Sequence, residues 1–142
     1  MRVIYTAGVW DMLHRGHLNF LWQSKQLGDV LVVGVVSDAG CAEYKGHRPS
    51  QNSQARARAI ETLSFVDAVV VQPTTDPSEN LFRFRPDIMT HGDDWAELKK
   101  GQDTLRRLGV EWRLLPYTPG ISSTLLRSEQ RNARNTINVS TK

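Results

Sequence analysis

Short apolar runs alternate along this chain with stretches of helical spacing. Val3 to Ala7 is a β-prone run ending at Gly8, which reads as a buried first strand. The proline-free stretch from His14 to Leu27 sets Leu18 and Leu21, then Phe20 and Leu27, at helical spacings, and Gly28-Asp29 closes it. Val30 to Val36 is almost wholly aliphatic, the mark of a strand covered on both faces. Ser37 to Ser53 is polar and broken by Gly40, Gly46 and Pro49, so it reads as a long loop, functional or mobile. Further on, the pattern predicts a helix over Ala55–Leu63, a strand over Ala68–Val71 and a short helix over Glu79–Phe84. A fourth strand over Ile88–Thr90, a helix over Trp95–Leu108 stopped by Gly109, and a fifth strand over Glu111–Leu115 follow. A last helix is expected near Ser122.

This alternation predicts one α/β domain: a Rossmann-like, doubly wound, five-stranded parallel sheet with helices on both faces. The domain is expected over residues 1–131, with a flexible tail over 132–142 that is rich in Asn, Thr and Ser. Ligands of such sheets sit beyond the carboxyl ends of the strands. Residues 8–17, 37–48, 91–95 and 116–124 all fall at that edge.

Composition narrows the partners. At 142 residues there is little room for a second domain. The net charge is +3 and the sequence pI about 9.3. That balance favours anionic ligands but falls short of the dense basic face of a nucleic-acid binder, and Arg127, Arg131 and Arg134 of the tail form no recognition motif. Cys41 is the single cysteine, so no internal disulfide is expected. No apolar run approaches the roughly 18 residues a membrane span requires, and no signal-peptide pattern opens the chain. The reading is a cytoplasmic protein without membrane insertion.

His14 and His17, three apart, project from one face of a predicted helix, in its first turn. Free backbone N–H groups and the helix dipole favour anions there, and Gly16 between them lets a ligand approach the backbone. Two such imidazoles can donate hydrogen bonds to a phosphate and, when protonated, offset charge that grows during its transfer. Zinc binding would need further ligands at matching spacings, and only His47 and His91 remain. Metal ligation is therefore disfavoured.

Gly8-Val9-Trp10-Asp11-Met12-Leu13-His14-Arg15-Gly16-His17 resembles the G-x-F-D-x-x-H-x-G-H signature of the cytidylyltransferase-like nucleotidyltransferases. Near the other end, Tyr117-Thr118-Pro119-Gly120-Ile121-Ser122-Ser123-Thr124 resembles that family's R-T-x-G-I-S-T-T. The Gly92-Asp93-Asp94-Trp95 run is similar to glycerol-3-phosphate cytidylyltransferases, with heptose-phosphate adenylyltransferases as nearest rivals.

The resemblance implies that His14 and His17 stabilise nucleotide phosphates while the acceptor's own phosphate attacks the α-phosphorus, with no covalent enzyme intermediate. Pyrophosphate leaves with Mg²⁺, which the nucleotide phosphates carry rather than a protein metal site. Lys45 and Arg56 join the histidines in the catalytic set. Gly8, Val9, Trp10, Gly16, Asp94, Tyr117, Thr118, Gly120, Ile121, Ser122, Ser123 and Thr124 are implied to hold the nucleotide, with Trp95 beside Asp94. Asp11, Asp38 and Arg48 are implied to meet the acceptor.

Tyr117 stands where the glycerol-phosphate enzymes carry arginine, and Gln72-Pro73-Thr74-Thr75 lacks their acceptor-binding lysine. These departures weaken glycerol 3-phosphate as the acceptor. The expectation is a CTP-dependent transferase, an EC 2.7.7-type enzyme that forms a CDP-activated polyol or sugar, commonly as a homodimer. An ATP-dependent enzyme acting on a heptose-type sugar phosphate is the alternative.

Overall fold

The computed structural model describes residues 1–92 and 100–116. The aliphatic run of β2 (Val30–Val36) lies between β3 (Ala68–Gln72) and β1 (Val3–Gly8), the middle strand of the sheet. Beyond β1 lie β4 (Ile88–Gly92) and β5 (Glu111–Leu115), giving the order β3-β2-β1-β4-β5. All four pairings are parallel, as the uninterrupted apolarity of β2 requires. Val3 pairs with Val30, Ile4 with Ile88, Val32 with Ala68 and Met89 with Trp112.

Alternation along each strand divides the core between two faces. Ile4, Leu31, Val33, Val35 and Ile88 pack with Phe20 and Leu21 of α1 (Arg15–Gln26) and Ile60 of α3 (Ser53–Glu61). Tyr5, Val32 and Met89 face the other way, onto Leu81 of α4 (Ser78–Phe84) and Leu105 of α5 (Gln102–Leu108). Burying one such side chain contributes about 1.5–3 kcal/mol, against about 1 kcal/mol for a helix cap. Packing therefore holds these short helices, and the caps set where they begin.

The predicted Ser37–Ser53 loop is not wholly a loop. Asp38–Lys45 forms a helix, α2, whose N-cap Ser37 accepts a hydrogen bond from the Gly40 amide. The glycine that argued against a helix is there for packing, because a Cβ at Gly40 would collide with the carbonyl of Pro73. The helix ends at Gly46 in the left-handed region, φ 80°. The predicted helix over Trp95–Leu108 is shorter at its start, with α5 beginning at Gln102 after Gly101 at φ 91°. That left-handed glycine interrupts any helix entering from before it. Residues 93–99, the expected helix near Ser122 and the expected tail over 132–142 lie outside the described residues.

Candidate active site

The β1–α1 turn carries the first half of the site. Trp10 and Met12 both adopt left-handed backbone, at φ 58° and 53°. Such a conformation costs a non-glycine residue about 1–2 kcal/mol, so the surroundings must enforce it. Trp10 Nε1 donates to the Gly34 carbonyl at 2.9 Å, and its indole is buried. Gly8 makes room for that ring, since a Cβ there would lie 2.8 Å from it. The indole meets the His17 imidazole edge-on, with centroids 5.6 Å apart, and so backs the histidine.

His14 is the N-cap of α1, and the two histidines form a reciprocal capping box. His14 Nδ1 accepts from the amides of Gly16 (3.1 Å) and His17 (3.4 Å), while His17 Nδ1 accepts from the His14 amide (3.3 Å). The rings stack at 3.7 Å, 16° from parallel. A ring nitrogen that accepts from a backbone N–H carries no proton, so each neutral ring carries its proton on Nε2. Burial lowers the pKa of both, and His17 is pushed down to about 3, with the neighbouring His14 adding to the effect. The pair thus offers two Nε2–H donors without charge at neutral pH, so of the two expected roles hydrogen-bond donation is the one the resting pair supplies.

A cavity of about 220 Å³ opens at the carboxyl ends of the strands. Of the expected residues, Gly8, Val9, Trp10, His17 and Lys45 line it, and His14 stacks on His17 from beside it. Gly16 is buried in the first turn of α1. Phe20, Tyr44, Gln72, Thr75, Met89, His91 and Gly92 also line the cavity and had not been singled out as ligands. His91 and Gly92 fall in the 91–95 stretch already placed at the ligand edge, and Gln72 and Thr75 end or follow β3, where the same strand-end rule could have found them.

Three charged residues expected at the ligand are engaged with the protein itself. Arg56 is fully buried and does not line the cavity. Its Nε donates to the Gln51 carbonyl (3.0 Å), Nη1 to the carbonyls of Val9 (2.7 Å) and Val36 (2.9 Å), and Nη2 to Asp38 (2.7 Å). Arg56 therefore ties the ends of β1 and β2 to the α2–α3 loop instead of reaching a phosphate. Asp38 also accepts from the Ser53 amide at 3.2 Å, and the Arg56 guanidinium holds its carboxyl below the usual range. Both carboxylate oxygens of Asp11 accept loop amides, from Ser50 (2.8 Å) and Gln51 (3.0 Å). Arg48 is exposed and outside the cavity lining. Asp94, Trp95, Tyr117, Thr118, Gly120, Ile121, Ser122, Ser123 and Thr124 lie outside the described residues.

A parallel sheet of this order, with paired imidazole donors at a helix start and a lysine in the cavity wall, defines a Rossmann-like nucleotidyltransferase. The family profile described as cytidylyltransferase-like matches residues 5–129, and the chain belongs to that family. The bifunctional protein HldE of Desulfatibacillum aliphaticivorans is 36% identical over 135 residues, 94% of this chain and 28% of that protein. HldE of Syntrophotalea carbinolica is 38% identical over 124 residues, 86% of this chain and 25% of its own. The chain thus spans about a quarter of the length of these curated relatives. A lipopolysaccharide core biosynthesis protein of Thermoplasma volcanium superposes with a TM-score of 0.70 at 31% identity, covering 83% of this chain and 97% of that one. No helix among the described residues is long and apolar enough to cross a membrane.

Proposed function

We propose that this protein transfers AMP from ATP to the phosphate of a heptose-type sugar phosphate, releasing pyrophosphate and forming an ADP-activated sugar. The neutral His14–His17 pair is the observation that carries nucleotidyl transfer. The choice of ATP and a sugar phosphate follows the relatives, HldE and a lipopolysaccharide core biosynthesis protein, which support this alternative better than the CTP-dependent reading. An acceptor phosphate oxygen attacks the α-phosphorus as the bond to the bridging oxygen breaks, and pyrophosphate leaves with that electron pair. The Nε2–H groups of His14 and His17 donate to phosphate oxygens as charge accumulates, and Lys45 supplies the cation at the cavity wall. Mg²⁺ fits this scheme as a counter-ion carried by the nucleotide phosphates.

Pyrophosphate release, followed with each of the four nucleoside triphosphates against a panel of phosphorylated heptoses, hexoses and polyols, tests the proposal. Release with ATP and a heptose phosphate is expected. Release with CTP and a polyol phosphate alone would restore the cytidine reading, and no release with any pair would sink nucleotidyl transfer. In the active pairing, His17→Ala should cut kcat by about 10²–10³-fold while the circular dichroism of the fold is kept.

A further inference from the structure

The residue that joins the two halves of the site is Gln51, in the loop between α2 and α3. Its backbone amide donates to Asp11 Oδ1 at 3.0 Å, and its side-chain Oε1 accepts from the Met12 amide at 3.0 Å. Its carbonyl accepts from Arg56 Nε at 3.0 Å. Ser50, beside it, donates its amide to the other oxygen of Asp11 at 2.8 Å. Asp11 and Met12 belong to the turn in which Trp10 and Met12 are left-handed. The same loop begins at Gly46, the left-handed cap of the helix that ends in Lys45. A Cβ at Gly46 would meet no other atom, so its left-handed backbone and not close packing explains the glycine at the start of this loop.

We propose that Gln51 is a positioning residue for nucleotidyl transfer: with Asp11 it latches the loop after Lys45 onto the turn before His14, so that the two histidines and Lys45 are held as one unit. The path is contiguous. The latch fixes Asp11 and Met12, and the turn they belong to aims the Trp10 indole. That indole backs His17, whose Nδ1 accepts from His14. Arg56 anchors the loop from the inside through the carbonyl of the same glutamine. Asp11, which the family resemblance had placed on the acceptor, acts in this arrangement on the protein's own backbone.

Gln51→Met tests the latch, because it removes the Oε1 acceptor while keeping side-chain length and both backbone links. The readout that needs no substrate is the ¹⁵N NMR titration of the His17 ring in the unliganded full chain. In the wild type burial keeps Nδ1 unprotonated well below the ordinary histidine range; of the charged groups that act on His17, His14 adds to that effect and Asp11 opposes it. In Gln51→Met the midpoint should rise toward the ordinary value, as the turn loosens and the His17 ring gains water. An unchanged titration in Gln51→Met overturns the latch. In turnover, whose substrates rest on the proposal above, Gln51→Met should lower kcat roughly tenfold with KM for the nucleotide nearly constant. That loss should shrink in a His17→Ala background, because the latch acts through His17. Full additivity in the double variant also overturns it. The titration stands apart from the substrate assignment, so failure of one leaves the other readable.

Discussion

Arg56 and Tyr5 are both fully buried polar side chains, on opposite faces of the same sheet, and their surroundings differ in kind. Arg56 brings a charge into the interior and spends its donors on the carbonyls of Val9, Val36 and Gln51 and on Asp38. Tyr5 is neutral. Its hydroxyl donates to Gln72 Oε1 at 2.6 Å and accepts from Asn80 Nδ2 at 3.0 Å, and burial raises its pKa far above the ordinary value, so it stays protonated. The Arg56 network joins loops that border the cavity, whereas the Tyr5 network joins the sheet to α4. A planar five-donor fork can serve several carbonyls at once, which a phenol cannot. Charge is placed where separate segments must converge, and a neutral pair suffices where one helix must sit on a sheet.

Acid should separate the faces most strongly. Folded His17 takes up a proton only near pH 3, whereas the unfolded chain does so around the ordinary 6.5. Between those values the unfolded state binds more protons, so stability is full above about pH 6.5 and is lost as pH falls toward 3. The slope from this one group is at most about 1.4 kcal/mol per pH unit. Asp38, held below its usual range, contributes stability that is lost further down, below the ordinary carboxylate pKa. The Tyr5 network does not titrate in this window. Urea unfolding from pH 7 to 4 should show the decline, and His17→Gln should flatten it; an equal slope in that variant would refute the assignment.

Arg56→Met should come next, at about 3 kcal/mol, since it strands the Asp38 carboxylate and three carbonyls. Asp38 retains 20% side-chain exposure, which keeps the loss at the lower end. Chemical denaturation measures it, and a loss below about 1 kcal/mol would mean water replaces the guanidinium at no cost. Gly34→Ala is the smallest, about 1–3 kcal/mol, because its Cβ would displace the Tyr5 hydroxyl. Combined with Tyr5→Phe, which removes that hydroxyl, the penalty should shrink; simple additivity of the two would show that the Tyr5 ring and not its hydroxyl is the obstacle.

Much of the fold is legible in the chain. The aliphatic run of Val30–Val36 demands burial on both faces, and the intervening helices follow from periodicity, so the sheet and its ligand-bearing edge need no further information. Helix α2 is an exception, because Gly40 reads as a breaker until Pro73 is seen against it, and the start of α5 is another, set by the left-handed Gly101. The histidine motif is likewise local, since His14 and His17 cap the same helix turn that they occupy.

The sequence by itself thus determined the architecture, the edge where the candidate site lies and the pair of imidazoles placed there. Only the tertiary structure decided which polar residues at that edge line the cavity and which hold the protein together. Asp11 meets residues 39 and 40 positions away, and Arg56 meets Val9 at a separation of 47. A carboxylate or guanidinium carries no local sign of whether a distant amide or carbonyl will reach it first. Burial and hydrogen-bond partnership are set by the packed chain, and so are the protonation states of the histidines that depend on them.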